Sequence, residues 1–332
     1  MSLQKYAIID LHLHLDGSLS AAAILDVARR ETIPLPATNE KDLLPYLQVP
    51  ENCQSLNEYL EKFYLPNLVL QTKEGLEECT LDLLERLAND GLKYVEIRMA
   101  PQLSCDKGLK QKEVVKTLIK ACKNCRKYGI FSNLILCMMR GEDTKRKNIE
   151  TIKVAKKYLN KGVVAIDLAG AEALFPNKLF DEEFKLINKY NIPLTIHCGE
   201  AAGYESVESA LQYNPKRIGH GIHSAQSRTT LQHLKDKNIF LEICPKSNLD
   251  TKAIKSYDEL PIRTFIKKGI KVTINTDDMT VSNTSLKDEF ETLEKLGFNP
   301  KEAREFAKNA IEASFANDEI KQYLKDSLKK IR

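Results

Sequence analysis

The sequence predicts an α/β protein with a (β/α)₈ barrel, the TIM-barrel fold, in a single domain over residues 1–332. Short apolar, β-branched runs alternate along the chain with longer segments of helical periodicity, which is typical of a parallel sheet covered by helices. Eight such runs can be counted, and a barrel of eight units typically takes about 250 residues plus insertions. A doubly wound open sheet is the competing architecture. It requires a glycine-rich turn after the first strand, where this chain has HLHLDGS instead.

The predicted elements follow one another in the order strand, helix, strand. The strands are expected at residues 6–14, 93–100, 131–139, 163–170, 193–199, 217–221, 239–245 and 271–277. Patterned helices are expected at residues 75–91, 112–129 and 228–238. Two segments exceed a minimal barrel: a helical insertion at about 31–73, and C-terminal helices at about 301–332 that we expect to pack outside. The chain has no linker rich in Gly, Ser or Pro, which favours one domain.

Composition limits the function classes. Hydrophobic residues make up 42% and charged residues 29%, as in ordinary globular proteins, and the net charge of +4 is spread along the chain, which argues against a nucleic-acid partner. The N-terminus lacks a signal-peptide pattern, and no apolar stretch approaches the roughly 18 residues of a membrane span. We therefore expect a soluble, cytoplasmic protein with no membrane or obligatory protein partner. Several of its eight cysteines lie in apolar runs, as reduced thiols do.

Histidines collect where a barrel places its active site, at the carboxyl ends of the strands. A lone histidine at a strand end is more often a packed residue, but five of the six lie at such positions. The exception is His233, which lies in a helical pattern. The strand-end residues are His12 and His14 after the first strand, His197 in the fifth, His220 and His223 around the sixth, and Asp277 with Asp278 after the eighth.

The spacing of His12 and His14 indicates a metal site. Residues two apart in a strand point to the same side, so both imidazoles enter the barrel mouth, where a divalent cation relieves their repulsion and desolvation. With His197 and Asp277 they form a set of three nitrogens and one oxygen. Such a set suits Zn²⁺ or a neighbouring first-row metal, one per chain, better than Mg²⁺ or Ca²⁺. It leaves a coordination position for water at a pKa near 7.

Residues beside the predicted ligands carry candidate catalytic roles. Glu200, three residues after His197, is placed to donate a proton, although it is also explained as an acid at a helix N-terminus. His220 can orient or deprotonate the water as a general base. Asp278 can ligate, orient water or hydrogen-bond a substrate. For His223, a surface position and a place beside the ligands remain equally open.

The Cys122-x-x-Cys125 pair has the spacing of a zinc motif. It lies in a helical pattern, however, and no H-x-E sequence precedes it, as a cytidine-deaminase type of site requires. We therefore interpret the pair as helix packing.

Several blocks of the sequence together resemble one known family. These blocks are DLHLHLDGS, VVAIDLAGAE, TIHCGEA, RIGHGIHS, EICPKSN and INTDD, which run in order from residue 10 to 278. They are similar to the adenosine deaminases among the metal-dependent amidohydrolase barrels. The resemblance implies the zinc ligands His12, His14, His197 and Asp277, with His14 also at the substrate and Asp277 also catalytic.

The resemblance also implies a reaction, adenosine plus water to inosine plus ammonia in purine salvage. Glu200 would protonate the purine ring nitrogen beside the amino-bearing carbon, and His220 would hold and deprotonate the water. Asp278 would hydrogen-bond the imidazole half of the purine, and the backbone of Gly170 would contact the pyrimidine edge. AMP deaminases are disfavoured because those chains are much longer and no basic cluster is available for a phosphate.

Asp16 bears on the substrate. Adenosine deaminases carry Asp here, which accepts a hydrogen bond from the ribose 5′-hydroxyl, whereas related adenine deaminases tend to carry Glu. The alternative is an Asp that caps the turn before Gly17. An adenine or modified-adenosine deaminase, of the aminofutalosine or methylthioadenosine type, remains the second hypothesis. A non-enzymatic relative is disfavoured because the ligands, Glu200 and His220 are intact.

The insertion contains an amphipathic helix at residues 55–65. Its apolar positions, spaced i, i+3, i+4 and i+7, are Leu56, Tyr59, Leu60 and Phe63. The resemblance implies a lid that covers the nucleoside, but the same stripe would also suit simple packing on the barrel. The segment CPKSNLDTK at 244–252 follows the microbial pattern, which leaves the outer wall of the pocket open.

Overall fold

The computed structural model describes residues 2–331, so residues 1 and 332, the two ends of the predicted domain, lie outside the described residues. Within residues 2–331 the chain forms eight strands, one in each predicted run. They are β1 (Ile9–His14), β2 (Tyr94–Met99), β3 (Phe131–Met139), β4 (Val163–Ala169), β5 (Thr195–Cys198), β6 (Arg217–His220), β7 (Phe240–Ile243) and β8 (Val272–Ile274).

The strands form a closed parallel barrel. Ladders join β1 to β4 in order and β5 to β8 in order. Single parallel bridges connect the two halves, at Ile166 with Leu194 and at Leu13 with Asp277. At the second seam, the N–H of His14 donates to the carbonyl of Asp277 at 2.7 Å, and the N–H of Asp277 donates to the carbonyl of His12 at 2.8 Å. The predicted fold class is confirmed.

Helices follow the strands and cover the barrel. They are α1 (Ala21–Glu31), α2 (Glu40–Leu47), α3 (Leu56–Leu60), α4 (Tyr64–Val69), α5 (Lys73–Asn89), α6 (Gln111–Asn124), α7 (Lys145–Tyr158), α8 (Asp181–Lys189), α9 (Tyr204–Leu211), α10 (Arg228–Asp236), α11 (Pro245–Asp250), α12 (Ile262–Lys267), α13 (Leu286–Lys295), α14 (Pro300–Ala313) and α15 (Asp318–Lys329).

The helix predicted at 55–65 is not continuous. It divides into α3 and α4, separated by a 3₁₀ turn at Glu61–Phe63. The physical reason is Pro66, which has no N–H to donate to the carbonyl of Lys62 and so interrupts the α-helical ladder. The break turns the chain and lets both short helices face the barrel mouth.

The C-terminal helices lie where the sequence places them, with one addition. Asn309 in α14 donates from Nδ2 to the carbonyl of Val272 at 3.0 Å, which fixes the helix against β8. The turn after α14 reaches further than expected, to the strand-start end of the barrel. There Arg217 donates to the carbonyl of Ala313 at 3.1 Å, and the N–H of Phe315 donates to Glu96 at 2.6 Å. The turn therefore closes the floor of the barrel.

The core between strands and helices is apolar, as the pattern of β1 requires. Leu11, Leu13 and Leu15 alternate with the inward histidines and are fully buried. All eight cysteines are free thiols, and Cys122 and Cys125 are buried in helix packing as predicted. No helix within residues 2–331 is long and apolar enough to cross a membrane.

Candidate metal centre and substrate cavity

Four predicted ligand side chains converge at the barrel mouth. His12 and His14 end β1, His197 lies in β5, and Asp277 follows β8. The Nε2 atom of His197 lies 3.0 Å from that of His12 and 3.2 Å from that of His14. Asp277 Oδ1 lies 3.1 Å from His12 Nε2 and 3.4 Å from His14 Nε2. These residues, hereafter the ligand group, bring all four donor atoms within 4.8 Å of one another.

The other ring nitrogens of two ligands face buried acids. His12 Nδ1 lies 2.9 Å from Glu242 Oε2, and His197 Nδ1 lies 2.8 Å from Asp167 Oδ2. With the ring proton on Nδ1, each imidazole directs its N–H at the acid that it faces. The Nε2 lone pairs of the two rings then face one another and Asp277. Lone pairs and a carboxylate packed this closely repel unless a cation lies between them. The ligand group therefore fits a divalent metal.

Arg98 supports both of these acids from inside the barrel. It donates to Asp167 Oδ2 at 2.8 Å and also contacts Glu242. Burial opposes the ionisation of Asp167, but its interaction with the His197 ring and the charge of Arg98 hold the pKa of this carboxyl well below its ordinary value. Asp167 is therefore a carboxylate at neutral pH, as an acceptor for the imidazole N–H must be.

Glu200 and His220 lie beside the ligand group. His220 Nε2 lies 3.5 Å from Glu200 Oε2 and 3.7 Å from Asp277 Oδ2, and it has no hydrogen-bond partner among the described residues. Burial lowers the pKa of His220 well below its ordinary value, so the imidazole is neutral. Burial and then the charge of Asp277 raise the pKa of Glu200 to about 8, so this acid holds its proton at neutral pH.

Helix α11 positions these catalytic candidates. Ser247 donates to Asp277 Oδ2 at 2.7 Å, and Thr251, just after the helix, donates to Glu200 Oε1 at 2.9 Å. The Asn248 amide lies 3.0 Å from His220 Nδ1. From the sequence, this segment was expected to leave the metal and catalytic positions untouched, with the outer wall of the pocket open, whereas three of its side chains contact Asp277, His220 and Glu200. The apolar-to-polar change at CPKSN was the available signal.

A cavity of about 340 Å³ opens above the ligand group. Every predicted substrate-binding residue lines this cavity. These residues are His14, Asp16, Tyr59, Leu60, Phe63, Gly170 and Asp278. Leu56 completes the apolar stripe of the insertion, so this stripe lines the cavity.

Two acidic side chains, Asp278 and Asp16, lie on the cavity wall. Tyr59 donates its hydroxyl to Asp278 Oδ2 at 3.0 Å, and Asp278 Oδ1 is buried without a partner among residues 2–331. A Cβ at Gly17 would lie 1.7 Å from Asp278 Oδ1, so a side chain at position 17 would displace this carboxyl and only glycine avoids the overlap. Asp16 also lines the cavity, where burial raises its pKa to about 6 and the side chain of Asn67 opposes that rise by hydrogen bonding.

The two remaining histidines lie apart from the ligand group. His223 is half-buried, and its Nδ1 contacts the carbonyl of Ala202 at 3.0 Å, so it supports the loop that carries Glu200. His233 lies on exposed α10 beside Glu208, as its helical pattern predicted.

The comparisons with known proteins agree with this geometry. The adenosine deaminase family model matches residues 8–331. An adenosine deaminase of Haemophilus ducreyi is 46% identical over 330 residues, which cover 98% of this chain and 96% of that protein.

The chain belongs to the adenosine deaminase family.

Solved structures extend the comparison within this deaminase fold. Adenine deaminase from Arthrobacter aurescens superposes with a TM-score of 0.88 at 27% identity, covering 97% of this chain and 98% of that one. The Arabidopsis N6-mAMP deaminase superposes with a TM-score of 0.86 at 27% identity, covering 98% of each chain. The family member described here is thus a hydrolytic deaminase.

Sequence reasoning missed the residues that orient the ligands of this deaminase. Asp167 and Glu242 lie within β4 and β7, where a charged residue interrupts an apolar run. Arg98 interrupts β2 in the same way. These interruptions were the available signal, because a charge inside a buried strand needs a partner.

Proposed function

We propose that the chain hydrolyses adenosine, and 2′-deoxyadenosine as a second substrate, to inosine and ammonia in purine salvage. The observation that carries this proposal is the meeting, in one cavity, of the ligand group, the buried carboxyl of Glu200 and the predicted ribose-binding Asp16. The 46% identity to a protein named adenosine deaminase supports the same substrate.

We assign one Zn²⁺ per chain to His12, His14, His197 and Asp277. Three imidazoles and one carboxylate favour zinc over magnesium or calcium, which prefer oxygen ligands. When bound, the metal lowers the pKa of a water molecule toward neutrality. Glu242 and Asp167 would hold the two imidazoles that they contact in the orientation that such binding needs.

Glu200 and His220 would move the protons of the reaction. Neutral His220 accepts a proton from water as its oxygen attacks the amino-bearing carbon, and Glu200 donates its proton to the adjacent ring nitrogen. The carbon becomes tetrahedral. His220 then protonates the leaving amine, ammonia departs, and the hydroxyl proton returns to Glu200 as the carbonyl forms. Both side chains thereby regain their starting protonation states.

The cavity wall would select the nucleoside. Asp16 would accept a hydrogen bond from the ribose 5′-hydroxyl, the backbone of Gly170 would contact the pyrimidine edge, and Asp278 Oδ1 would contact the imidazole half. The insertion helices would act as a lid, with Tyr59, Leu60 and Phe63 against the purine and ribose. A deaminase for adenine or for a modified adenosine is the second candidate, favoured by the structural similarity to an adenine deaminase.

A substrate panel tests the proposal. Protein purified without chelator is assayed with adenosine, 2′-deoxyadenosine, methylthioadenosine and adenine, and its metal content is measured by mass spectrometry. We expect one zinc per chain, and kcat/KM highest for adenosine. Adenine as the best substrate would refute the role of Asp16. A protein that retains no metal would refute the enzyme mechanism.

A further inference from the structure

One buried acid outside the ligand group organises the loop that carries Glu200. Glu172, in the segment after β4, is only 3% exposed. Its carboxylate accepts the N–H groups of four consecutive residues at 2.6 to 3.2 Å, and the hydroxyl of Ser206 at 2.5 Å. The four N–H donors belong to Gly199, Glu200, Ala201 and Ala202.

This arrangement reverses a common mode of anion binding. Consecutive N–H groups that converge on one point form a nest, which usually holds a bound anion. Here a side chain of the same protein occupies the nest. The loop can adopt this turn because Gly199 has a φ of +69°. Without the carboxylate, these four N–H groups would lose the acceptor that holds the turn together.

Glu200 is therefore held at both ends. Its backbone N–H donates to Glu172, and its carboxyl accepts the hydroxyl of Thr251 at 2.9 Å. The side chain itself is only 5% exposed. A shift of the backbone by a fraction of an ångström would move the carboxyl relative to its hydrogen-bond partner and to the cavity.

Further contacts join the segments that follow β4 and β5. Arg140 donates to the side-chain oxygen of Asn177 at 2.7 Å and to the carbonyl of His197 at 2.6 Å. Asn177 in turn donates to the carbonyl of Ser206 at 2.9 Å. These hydrogen bonds hold the segments after β4 and β5 together, and the carboxylate of Glu172 adds further hydrogen bonds between the same two segments.

Gly170 lies two residues before Glu172, on the same segment and on the cavity wall. Gly170 and Glu200 are the two groups assigned to the pyrimidine edge of the purine. Their separation is set through Glu172, because its backbone continues from Gly170 and its side chain binds the backbone of Glu200.

We propose that Glu172 is a positioning residue for proton transfer, which fixes the Glu200 carboxyl relative to Gly170 so that both meet the six-membered ring of the substrate. This inference rests on the proposed role of Glu200 as proton donor. It assigns Glu172 no contact with the substrate.

A double-mutant cycle tests this inference. Glu172→Gln keeps the size of the side chain but offers one acceptor oxygen where the carboxylate has two. In the wild-type background we expect kcat to fall between about tenfold and a hundredfold, because small displacements of a catalytic group have effects of this size. In the Glu200→Gln background the same change should lower the residual kcat by less than about threefold, since the group that it positions no longer transfers a proton.

Controls separate positioning from a general loss of structure. Glu183→Gln makes the same change at another buried carboxyl, in α8, and should leave kcat near the wild-type value. Metal content and the midpoint of thermal unfolding are measured for every variant. If Glu172→Gln does not fold, Glu172→Asp, which keeps the charge and shortens the side chain, replaces it in the same cycle.

The outcomes distinguish this inference from the proposed function. Equal losses of kcat in both backgrounds, or no loss in either, would overturn the positioning role. A wild-type protein that prefers another purine in the panel would refute the adenosine assignment, and the cycle would then be run with that substrate. A much smaller loss in the Glu200→Gln background supports the inference with any of these purines.

Discussion

Asp167 Oδ2 lies 2.8 Å from Nδ1 of His197, on the side of the imidazole that faces away from the other ligands. The acid is itself fixed by Arg98 at 2.8 Å, so the orientation of a ligand depends on a residue of another strand. Glu242 holds His12 in the same way. Metal affinity in this protein should therefore depend on carboxylates that never touch the metal.

We expect Asp167→Asn to weaken metal binding about 10- to 100-fold, because an amide can no longer act as the charged acceptor that orients His197. Competition with a chromogenic chelator measures the affinity. Asp236→Asn, the same change on exposed α10, is the matched control and should bind metal as the wild type does. An unchanged affinity in Asp167→Asn would show that the ligand needs no orientation from this acid.

We expect Glu200→Gln to lower kcat at least about a hundredfold, the usual size of a general-acid contribution, while zinc and nucleoside binding are retained. Steady-state kinetics and equilibrium binding of a nucleoside inhibitor separate these effects. Glu205→Gln, on exposed α9 close to the same loop, serves as the control. Near-wild-type turnover in Glu200→Gln would remove Glu200 from the role of proton donor.

The pH dependence of kcat/KM should have an alkaline limb set by Glu200. A proton donor works only while protonated, and burial and the Asp277 charge raise its pKa from 4.5 to about 8, so activity persists at neutral pH and declines as the pH rises through that pKa. A cation bound to Asp277 would offset part of its charge and bring the limb to a lower pH. The residual activity of Glu200→Gln should lack this limb, and a limb that persists there would belong to another group.

We expect Tyr59→Phe to raise KM for adenosine about five- to tenfold with little change in kcat. The variant keeps the aromatic ring but removes the hydroxyl that donates to Asp278, so the carboxyl loses a partner worth about 1–1.5 kcal/mol. Initial-rate kinetics measure both constants. Tyr46→Phe removes a hydroxyl from a half-exposed tyrosine of α2 and should have no effect. Unaltered KM in Tyr59→Phe would detach this hydroxyl from substrate binding.

Glu289 should make stability depend on pH. Burial raises its pKa to about 8 from an ordinary 4.5, so between these values the folded chain binds more protons at this site than the unfolded chain. Its contribution to the free energy of unfolding therefore falls as the pH rises from about 4.5 to about 8. Urea unfolding across this range should show a shallower pH dependence in Glu289→Gln than in the wild type or in the control Glu291→Gln, which changes a half-exposed acid of the same helix. Parallel curves for all three would contradict this contribution.

The sequence was most informative for residues whose location in the site depends only on their position within their own strand. The alternation of side chains within β1 was enough to predict that His12 and His14 point to the same side. Because the active site of a parallel barrel lies at the carboxyl ends of its strands, His197 and Asp277 could be predicted beside them. The contacts between these histidines and their partner acids could not be predicted from the pattern of a single strand. Asp167 meets His197 only because of the register between β4 and β5, which no local pattern encodes.

Two other features show why local patterns were insufficient. Glu172 binds N–H groups whose direction depends on the left-handed turn at Gly199, so its partners could not be inferred from its own surroundings in the chain. The break between α3 and α4 is different, because Pro66 was present in the sequence and the amphipathic spacing of residues 55–65 was given too much weight. The single-domain organisation of residues 1–332 stays a prediction.

The seam between β1 and β8 has a consequence for the order of events during synthesis. His12 and His14 are translated before Asp277, whose backbone pairs directly with theirs. A nascent chain can therefore offer at most three of the four ligands until the eighth strand has been translated. Full-affinity metal uptake would then report that the barrel has closed, and translation products that stop before residue 277 would be left without a complete site.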